Sequence, residues 1–568
     1  MDFLFAKSNS IAHLAGMTNS DLADIFKLYA DLSELHGGNP FKIKSYAAAA
    51  FRIDKFPQVL FNLSLQELES IQGIGKSIAQ VIVSLNQNQG NWPELNKLIE
   101  ETPEGVRQLM RIKGIGAKKV AFIWKELGIE NPGELLYACK ENRLAQAKGF
   151  GQKTQENIRK QIEFLFANQH KFHYASAEPL ALQLLKTIQD EFTEMASFTG
   201  PIRRCAEVLE CIDLLVASEE KEELAAQLMA IPLLNNTDWD GEFIQGKLGS
   251  FPVSIHLCAT ENYMYSLFME TASEDHLKQL PAEPDDSVNW DSEEDIYASI
   301  GLSYIEPELR EGLGEIEKAV QNQLPNLIEY EDLRGPLHNH STWSDGQNSI
   351  EEMALWCMQK GYAYLGMADH SKSAFYANGL SVERVYQQME EIDKLNARYP
   401  NFRILKGIEC DILNDGNLDY ENDVLKDFDY VVASIHSNLK MTEEKAMGRL
   451  LKAIENPYTS ILGHPTGRLL LMREGYPINA KKMIDACAAN GVHIEINANP
   501  YRLDLDWRHI DYALNKGIWL SINPDAHELD GFLDMYFGTL VARKGGLSKE
   551  QCLNALETDE LLQKLKRN

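Results

Sequence analysis

The sequence predicts a multidomain protein: a helical N-terminal part, an α+β middle, and a C-terminal α/β part of βα units around a parallel sheet or barrel. Three observations carry this reading. A chain of 568 residues is too long for one hydrophobic core. A glycine-punctuated turn between helices recurs within the first 170 residues. After residue 336, short apolar strands alternate with helical stretches, and nearly every strand ends on a histidine or an acid.

Composition is that of an ordinary globular protein, without low-complexity or coiled-coil bias. A formal charge of −29 argues against indiscriminate nucleic-acid binding by the whole surface, yet leaves room for a local basic face. The eight cysteines are scattered with no C-x-x-C pair, so neither a disulfide framework nor a thiolate zinc site is expected, and a reducing cytoplasm fits best. The start, Met1-Asp2-Phe3-Leu4-Phe5-Ala6-Lys7, is too short and too soon polar for a signal peptide. No apolar run is long enough to span a bilayer, so no membrane partner is expected.

In the helical part, Thr18-Asn19-Ser20-Asp21-Leu22 is a helix start, with Ile25, Leu28, Tyr29 and Leu32 following at helical spacing. Asn39-Pro40-Phe41-Lys42 precedes an alanine-rich helix from Ala47 to Arg52. Leu68-Glu69-Ser70-Ile71-Gln72-Gly73-Ile74-Gly75-Lys76 is echoed by Leu109-Met110-Arg111-Ile112-Lys113-Gly114-Ile115-Gly116-Ala117-Lys118-Lys119. A looser third copy is Ala147-Lys148-Gly149-Phe150-Gly151-Gln152-Lys153. Each reads helix, apolar-Gly-apolar-Gly turn, helix, the helix-hairpin-helix pattern. Its glycines let a turn approach a phosphate, and the next helix presents backbone N–H groups and the positive end of its dipole. Residues 105–160 hold twelve Lys or Arg against five Glu, an excess expected of a face that grips the DNA backbone without reading sequence. The candidate DNA contacts are Gly73, Gly75, Lys76, Gly114, Gly116, Lys118, Lys119, Gly149, Gly151 and Lys153.

From 175 to 330 the character changes. Ile212 to Val216 and Phe251 to Leu257 read as strands, and the acidic stretch Pro281 to Asp295 as an exposed loop.

The last part opens on Leu337-His338-Asn339-His340, a strand placing two histidines on one face, with Asp345 and Gly346 following in a turn. Six more strand ends answer it. Tyr364–Ala368 runs into Asp369-His370, Arg403–Ile408 ends at Glu409, and Tyr430–Ile435 ends at His436. Ser460–Gly463 ends at His464, His493–Ile496 at Asn497, and Trp519–Asn523 leads to Asp525-Ala526-His527. In a βα barrel such ends converge on one face. The expected metal ligands are His338, His340, Asp345, His370, Glu409, His436, His464, Asp525 and His527. Nitrogen and oxygen donors without cysteine suit Mn²⁺, Zn²⁺ or Fe²⁺ and do not choose between them. Arg468 and Arg502, just past strand ends, are expected either to clamp phosphate oxygens or to make surface salt bridges, with Lys372 a weaker candidate.

This nine-residue set resembles the ligand pattern of the PHP (polymerase and histidinol phosphatase) phosphoesterases over about residues 335–568. The resemblance implies a distorted seven-stranded βα barrel holding up to three divalent ions. One would sit on His338, His340, Glu409 and Asp525, a second on Glu409, His436 and His464, and a third on Asp345, His370 and His527. Glu409 and His436 would then be catalytic. With the hairpins, the module order resembles bacterial-type family X DNA polymerases across essentially the whole chain. It implies an N-terminal DNA-end-binding domain (1–88), fingers (89–172), a palm (173–260), a thumb (261–325) and the PHP domain (326–568).

The polymerase centre departs from that family. Its palm begins Gly-Ser-x-Arg-Arg, whereas this chain has Gly200-Pro201-Ile202-Arg203-Arg204. Its Asp-x-Asp is here Cys211-Ile212-Asp213, and its third aspartate aligns with Ser254. One carboxylate of three does not hold the Mg²⁺ pair that nucleotidyl transfer needs. The family's Schiff-base lysine falls on Val81, leaving only a neighbour such as Lys76. The expected function is a monomeric, Mn²⁺-dependent 3′→5′ exonuclease of DNA repair. It would act on gapped, nicked or 3′-ended DNA, with abasic-site or 3′-phosphate processing as variants. The alternatives are a working repair polymerase with editing, a non-catalytic DNA-end scaffold and, for the barrel alone, a small-molecule phosphatase.

Overall fold

The computed structural model describes residues 17–566 except 57, 72, 89, 141, 142 and 148; the start of the chain, with Gln72 and Lys148 of the hairpin echoes, lies outside them. The chain forms two compact units, the first ending at Gln169 and the second running from His170.

The first unit is helical. Thr18 and Asp21 close a capping box on the helix Asn19–Leu35, as the residue pattern predicts. The next helix is longer than its alanine run suggested. It spans Pro40–Asp54, because the Asn39 side chain caps it and Pro40 suits the first turn. Their apolar faces, with Phe26, Leu32 and Ile53 fully buried, share one core with the hairpin helices. The hairpins pair Leu65–Ser70 with Lys76–Gln87, Glu104–Met110 with Ala117–Lys125, and Arg143–Gln146 with Gln152–Ala167.

Among the described residues, the second unit carries fourteen strands. A short ladder pairs β1 (Phe172–His173) with β3 (Val208–Leu209). A five-stranded sheet runs in the order β2 (Ala196–Phe198), β4 (Ile212–Ala217), β7 (Phe251–Cys258), β6 (Phe243–Leu248), β5 (Leu234–Trp239). Period-2 alternation sends Ile212, Leu214 and Val216 into one core and Leu215 and Ala217 into another, with Tyr263 and Leu267. The expected loop Pro281 to Asp295 ends in a helix at Glu293–Ser299, and Glu293 is buried rather than solvated.

Beyond residue 336 the strands are parallel. β8 (Tyr364–Gly366) pairs with β9 (Arg403–Leu405). β10 (Gly407–Asp411), β11 (Tyr430–Ser434), β12 (Ile461–Leu462), β13 (His493–Asn497) and β14 (Leu520–Asn523) follow in chain order. Every residue of β10, β11, β13 and β14 is buried, as expected of parallel strands covered on both faces. Two expectations need correction. The strand expected over 403–409 breaks at Lys406, and its second half joins the larger sheet. The opening motif is no regular strand: it makes one parallel bridge, Asn339 to Ala526. Bonds from Gly366 N to Pro336 O, Ala368 N to Asn339 O and His340 N to Ala526 O still seat it between β8 and the end of β14. Below the strand ends the interior is filled. The Tyr430 hydroxyl lies 2.6 Å from the carbonyl oxygen of Leu337 and 2.8 Å from that of Met367. A Cβ on Gly407 would fall 2.3 Å from both the Met367 carbonyl oxygen and the Tyr430 ring, so only glycine fits there.

Candidate metal centre

The strand ends bring the nine expected side chains to one place. Glu409, fully buried on β10, is the hub. His436 Nε2 lies 3.1 Å and His464 Nε2 3.0 Å from its Oε1, and His338 Nε2 approaches the same oxygen at 3.3 Å. His370 Nδ1 stands 2.9 Å from Oε2. Asp525 takes His340 Nε2 at 2.9 Å, and Asp345 faces His370 Nε2 at 3.7 Å and His527 Nε2 at 3.5 Å. Three groups converge tightly enough to hold an ion: His338 with His340 and Asp525; His370 with Glu409 and His436; and His340 with Asp345, His370 and His527. His340 and His370 each join two groups, so the donors are shared more widely than three separate sets imply.

The donors fit a metal. His338 Nε2, His340 Nδ1, His370 Nδ1, His464 Nδ1 and Glu409 Oε2 are buried without a hydrogen-bond partner. Buried polar atoms are almost always satisfied, and each of these carries a lone pair able to bind a cation. His370 Nδ1 and Glu409 Oε2 come within 2.9 Å yet out of hydrogen-bond alignment, as two ligands of one ion would. Backbone strain points the same way: His464 and Asp525 have φ of 22° and 54°.

Charge around the hub is strongly coupled. Burial penalises the Glu409 carboxylate, but His436, His338 and His370 hold it well below the usual range. Burial likewise opposes the charged forms of His436 and His527, yet Glu409 and Asp411 push the first up to about 10, and Asp345 and Asp525 the second up to about 9. Burial drives His340 down to about 3, with His527 and His370 adding to the effect.

A supporting layer escaped sequence reading. Glu495, inside β13, accepts from His338 Nδ1 at 2.7 Å, His464 N at 2.8 Å and Asn523 Nδ2 at 3.0 Å, turning His338 Nε2 toward Glu409. Asp411 does the same for His436 Nδ1 at 2.5 Å and takes the Ser373 hydroxyl at 2.7 Å. Asp369 accepts from Ser341, Ser344 and Gln388 and so braces the turn that carries Asp345. The available signal was a carboxylate at period-2 spacing inside an apolar strand.

The arginines divide. Arg502 Nε lies 3.8 Å from Asp525 Oδ2, at the edge of the cluster. Arg468 is not free to clamp phosphate. Its Nε donates to Arg502 O, Nη1 to Asp506 and Nη2 to Leu503 O, so it pins the loop that carries Arg502. The ammonium of Lys372 sits over the Tyr420 ring.

The sheet that carries Asp213 is built differently. The β4–β7 register sets Asp213 beside Ser254, which accepts a bond from Gln245. Among the described residues, all groups of three or more converging metal-ligand side chains lie beyond residue 336. Arg203 donates to Glu293 at 2.5 Å and to Thr271 at 2.6 Å, and the fully buried Arg310 closes on the same Glu293. Arg204 pairs with Glu311 at 2.9 Å. Lys544, from the C-terminal part, meets Glu311 and donates to Arg204 O at 2.9 Å.

In the first unit the three hairpin turns share one backbone. Gly73, Gly114 and Gly149 have φ of 96°, 96° and 88°, a region natural only to glycine. Gly75, Gly116 and Gly151 cap the following helices without a side-chain cap, and no atom lies within 4 Å of where a Cβ would stand on any of them. The third copy, looser in sequence, is as regular in geometry. Lys76, Lys118 and Lys153 are exposed beside these turns, while Lys119 reaches over the Phe150 ring.

Comparison with known proteins agrees with this architecture. Residues 17–89 match the helix-hairpin-helix domain and 106–163 the SAM-like helix-hairpin-helix tandem. Residues 261–311 match the DNA polymerase beta thumb and 336–499 the PHP domain. A probable phosphatase of Thermoanaerobacter sp. strain X514 is 31% identical over 235 residues, covering 38% of this chain and 88% of its own. The DNA polymerase/3′-5′ exonuclease PolX of Bacillus subtilis strain 168 is 36% identical over 575 residues, 97% of this chain and 100% of that protein. The hairpin and thumb matches indicate DNA binding, and no helix of the described residues is long and apolar enough to cross a membrane. With hairpins, thumb and PHP domain in this order, the chain belongs to the family X DNA polymerases that carry a C-terminal PHP domain.

Proposed function

We propose that this protein is a divalent-metal-dependent 3′→5′ exodeoxyribonuclease of DNA repair whose polymerase centre no longer polymerises. The observation that carries the reading is the set of five buried, unpartnered lone-pair atoms around Glu409, framed by all nine expected ligands. Bound ions would lower the pKa of a water and neutralise phosphate charge, and Mn²⁺ is the proposed ion, ahead of Zn²⁺ or Fe²⁺. The chain's own groups do the rest. Glu409 gathers the histidines, Asp411 orients His436, and Arg502 stands beside Asp525 to meet a phosphate oxygen. The three hairpin turns support sequence-independent holding of gapped, nicked or 3′-ended DNA.

The loss of polymerisation rests on the palm. Asp213 faces Ser254 instead of a second carboxylate, and Arg203 and Arg204 are engaged by Glu293 and Glu311. The printed name of the B. subtilis relative favours the second reading, a polymerase with editing.

One assay separates the two. A 5′-labelled primer on a template is incubated with protein and Mn²⁺, with and without dNTPs. Shortening from the 3′ end in both arms, abolished by Glu409→Ala, is the expected result. Extension in the dNTP arm would establish the second reading, and shortening that survives Glu409→Ala would remove the metal centre from the chemistry.

A further inference from the structure

The segment after His370 presents its aromatic residues outward. In Ala374-Phe375-Tyr376-Ala377 the two alanines are buried, whereas Phe375 is 88% and Tyr376 65% exposed. A loop that only linked strand to helix would gain by the opposite arrangement, because an exposed phenyl ring forgoes most of its burial free energy.

The segment is firmly held. Leu380 N donates to His370 O at 2.8 Å, and Ser373 is fastened by its N–H to Asp419 at 2.6 Å and by its hydroxyl to Asp411 at 2.7 Å. Asn378, in the left-handed region at φ 54°, donates to the carbonyls of Trp343 and Ser344 beside the opening motif. A Cβ on Gly379 would stand 2.0 Å from Ser371 O, which fixes how closely the segment folds back.

Tyr376 also stands at the metal centre. The Tyr376 ring centroid lies 6.2 Å from that of His370. Tyr376 thus adjoins a metal ligand while most of its side chain remains open.

We infer that Phe375 and Tyr376 form a stacking platform for the unpaired bases at the 3′ end of a DNA strand, holding the terminal phosphodiester over the metal centre. The inference rests on the proposed nuclease reading, and it specifies which substrate form that site takes. Stacking on aromatic rings is tolerant of sequence, as every base has a π-face, and a preformed platform binds at low ordering cost. A paired blunt end offers it no free base. The platform thus favours frayed or tailed 3′ ends over blunt duplex.

Two readouts test it on the full chain. The first needs no catalysis: a 3′-tailed duplex with 2-aminopurine as the terminal base is titrated with metal-free protein. The inference expects fluorescence quenching that the Phe375→Ala/Tyr376→Ala variant loses and the Phe375→Tyr/Tyr376→Phe variant keeps. The second uses Mn²⁺-loaded protein. The double alanine variant should raise KM on the tailed duplex about tenfold or more, well beyond any change in its hydrolysis of bis(p-nitrophenyl) phosphate. Quenching that persists in the alanine variant, or equal loss on DNA and on the small diester, would overturn the platform. Quenching by a wild-type protein that then degrades no DNA would uphold the platform and defeat the nuclease reading instead.

Discussion

The region around Glu293 and the strand-end cluster both gather charged side chains in buried places, and they have done opposite things with them. Around Glu409 the charges are left incomplete: five lone-pair atoms have no hydrogen-bond partner. Around Glu293 they are nearly closed. Two arginines share one carboxylate, Arg310 also donates to Ile305 O at 2.8 Å, and its one nitrogen without a hydrogen-bond partner, Nη2, belongs to a guanidinium that lies near the Tyr297 and Tyr304 rings. An unsatisfied buried cluster costs stability unless something completes it, whereas a satisfied one is simply part of the structure. The contrast separates a cluster able to take a cation from one in which Arg203 and Arg204 serve as structural ties.

The sharpest way to break that contrast is Glu293→Ala. It strands Arg310, which is fully buried, and the expected loss is about 3–5 kcal/mol of stability in the second unit. Denaturant unfolding measures the loss, and metal uptake by the folded fraction should be unchanged. A fall in metal affinity instead would mean that the two regions are one functional site.

Glu495→Gln probes the other side. The amide keeps an acceptor for His338 Nδ1–H but removes the charge and turns its NH2 against His464 N–H, so metal affinity should fall about 10- to 100-fold and the unfolding midpoint should fall with it. Competition titration against a chelating dye reads this directly. Unaltered affinity would reduce Glu495 to packing.

The smallest effect is graded with pH. In the metal-free chain His436 and His527 are pushed up to about 10 and about 9, so both hold protons at neutral pH. An ion must displace those protons, so affinity should climb as pH rises from about 6 to 9, with proton release on binding. The sign for folding is the reverse. These raised values stabilise the metal-free protein below the unfolded histidine pKa, and that contribution fades as pH rises through 9 to 10. Calorimetric titration in buffers of different ionisation enthalpy counts the protons. A flat profile would show that other groups, not these histidines, face the ion.

Much of the cluster was legible because strand geometry orders it. A polar residue closing an apolar run in a βα repeat stands at the C-terminal rim, so His436 and His464 declared themselves one strand at a time, whereas Glu409 lies within β10 and His338 on a segment with a single bridge. Glu495 was harder to see: it lies inside its strand, where a carboxylate reads as an exception to an apolar pattern. Arg468 looked equivalent to Arg502, since nothing local tells a guanidinium facing substrate from one held by Asp506 and two carbonyls. The third hairpin shows a related effect. Its flanking residues had drifted from the other two copies, while the backbone demand on Gly149 had not. Phe375 and Tyr376 passed unnoticed because exposure is decided by the burial of Ala374 and Ala377, a tertiary fact.

Lys544 has a practical consequence for anyone wishing to isolate the catalytic portion. Only 3% exposed, it reaches back to Arg204 O and Glu311 while its ammonium lies 4.5 Å from the centre of the Trp507 ring. Arg543 beside it pairs with Glu308 at 2.8 Å, and Trp507 Nε1 donates to Glu207 at 2.9 Å. A protein trimmed to begin near residue 326 would keep Lys544, Arg543 and Trp507 but lose Glu207, Glu308 and Glu311. Arg543 would keep Glu329, but Lys544 would lose Glu311 beside a bared Trp507, a face expected to self-associate. The PHP part of this molecule is therefore not a portable piece: the partners of Lys544 and Trp507 come from the segment before it.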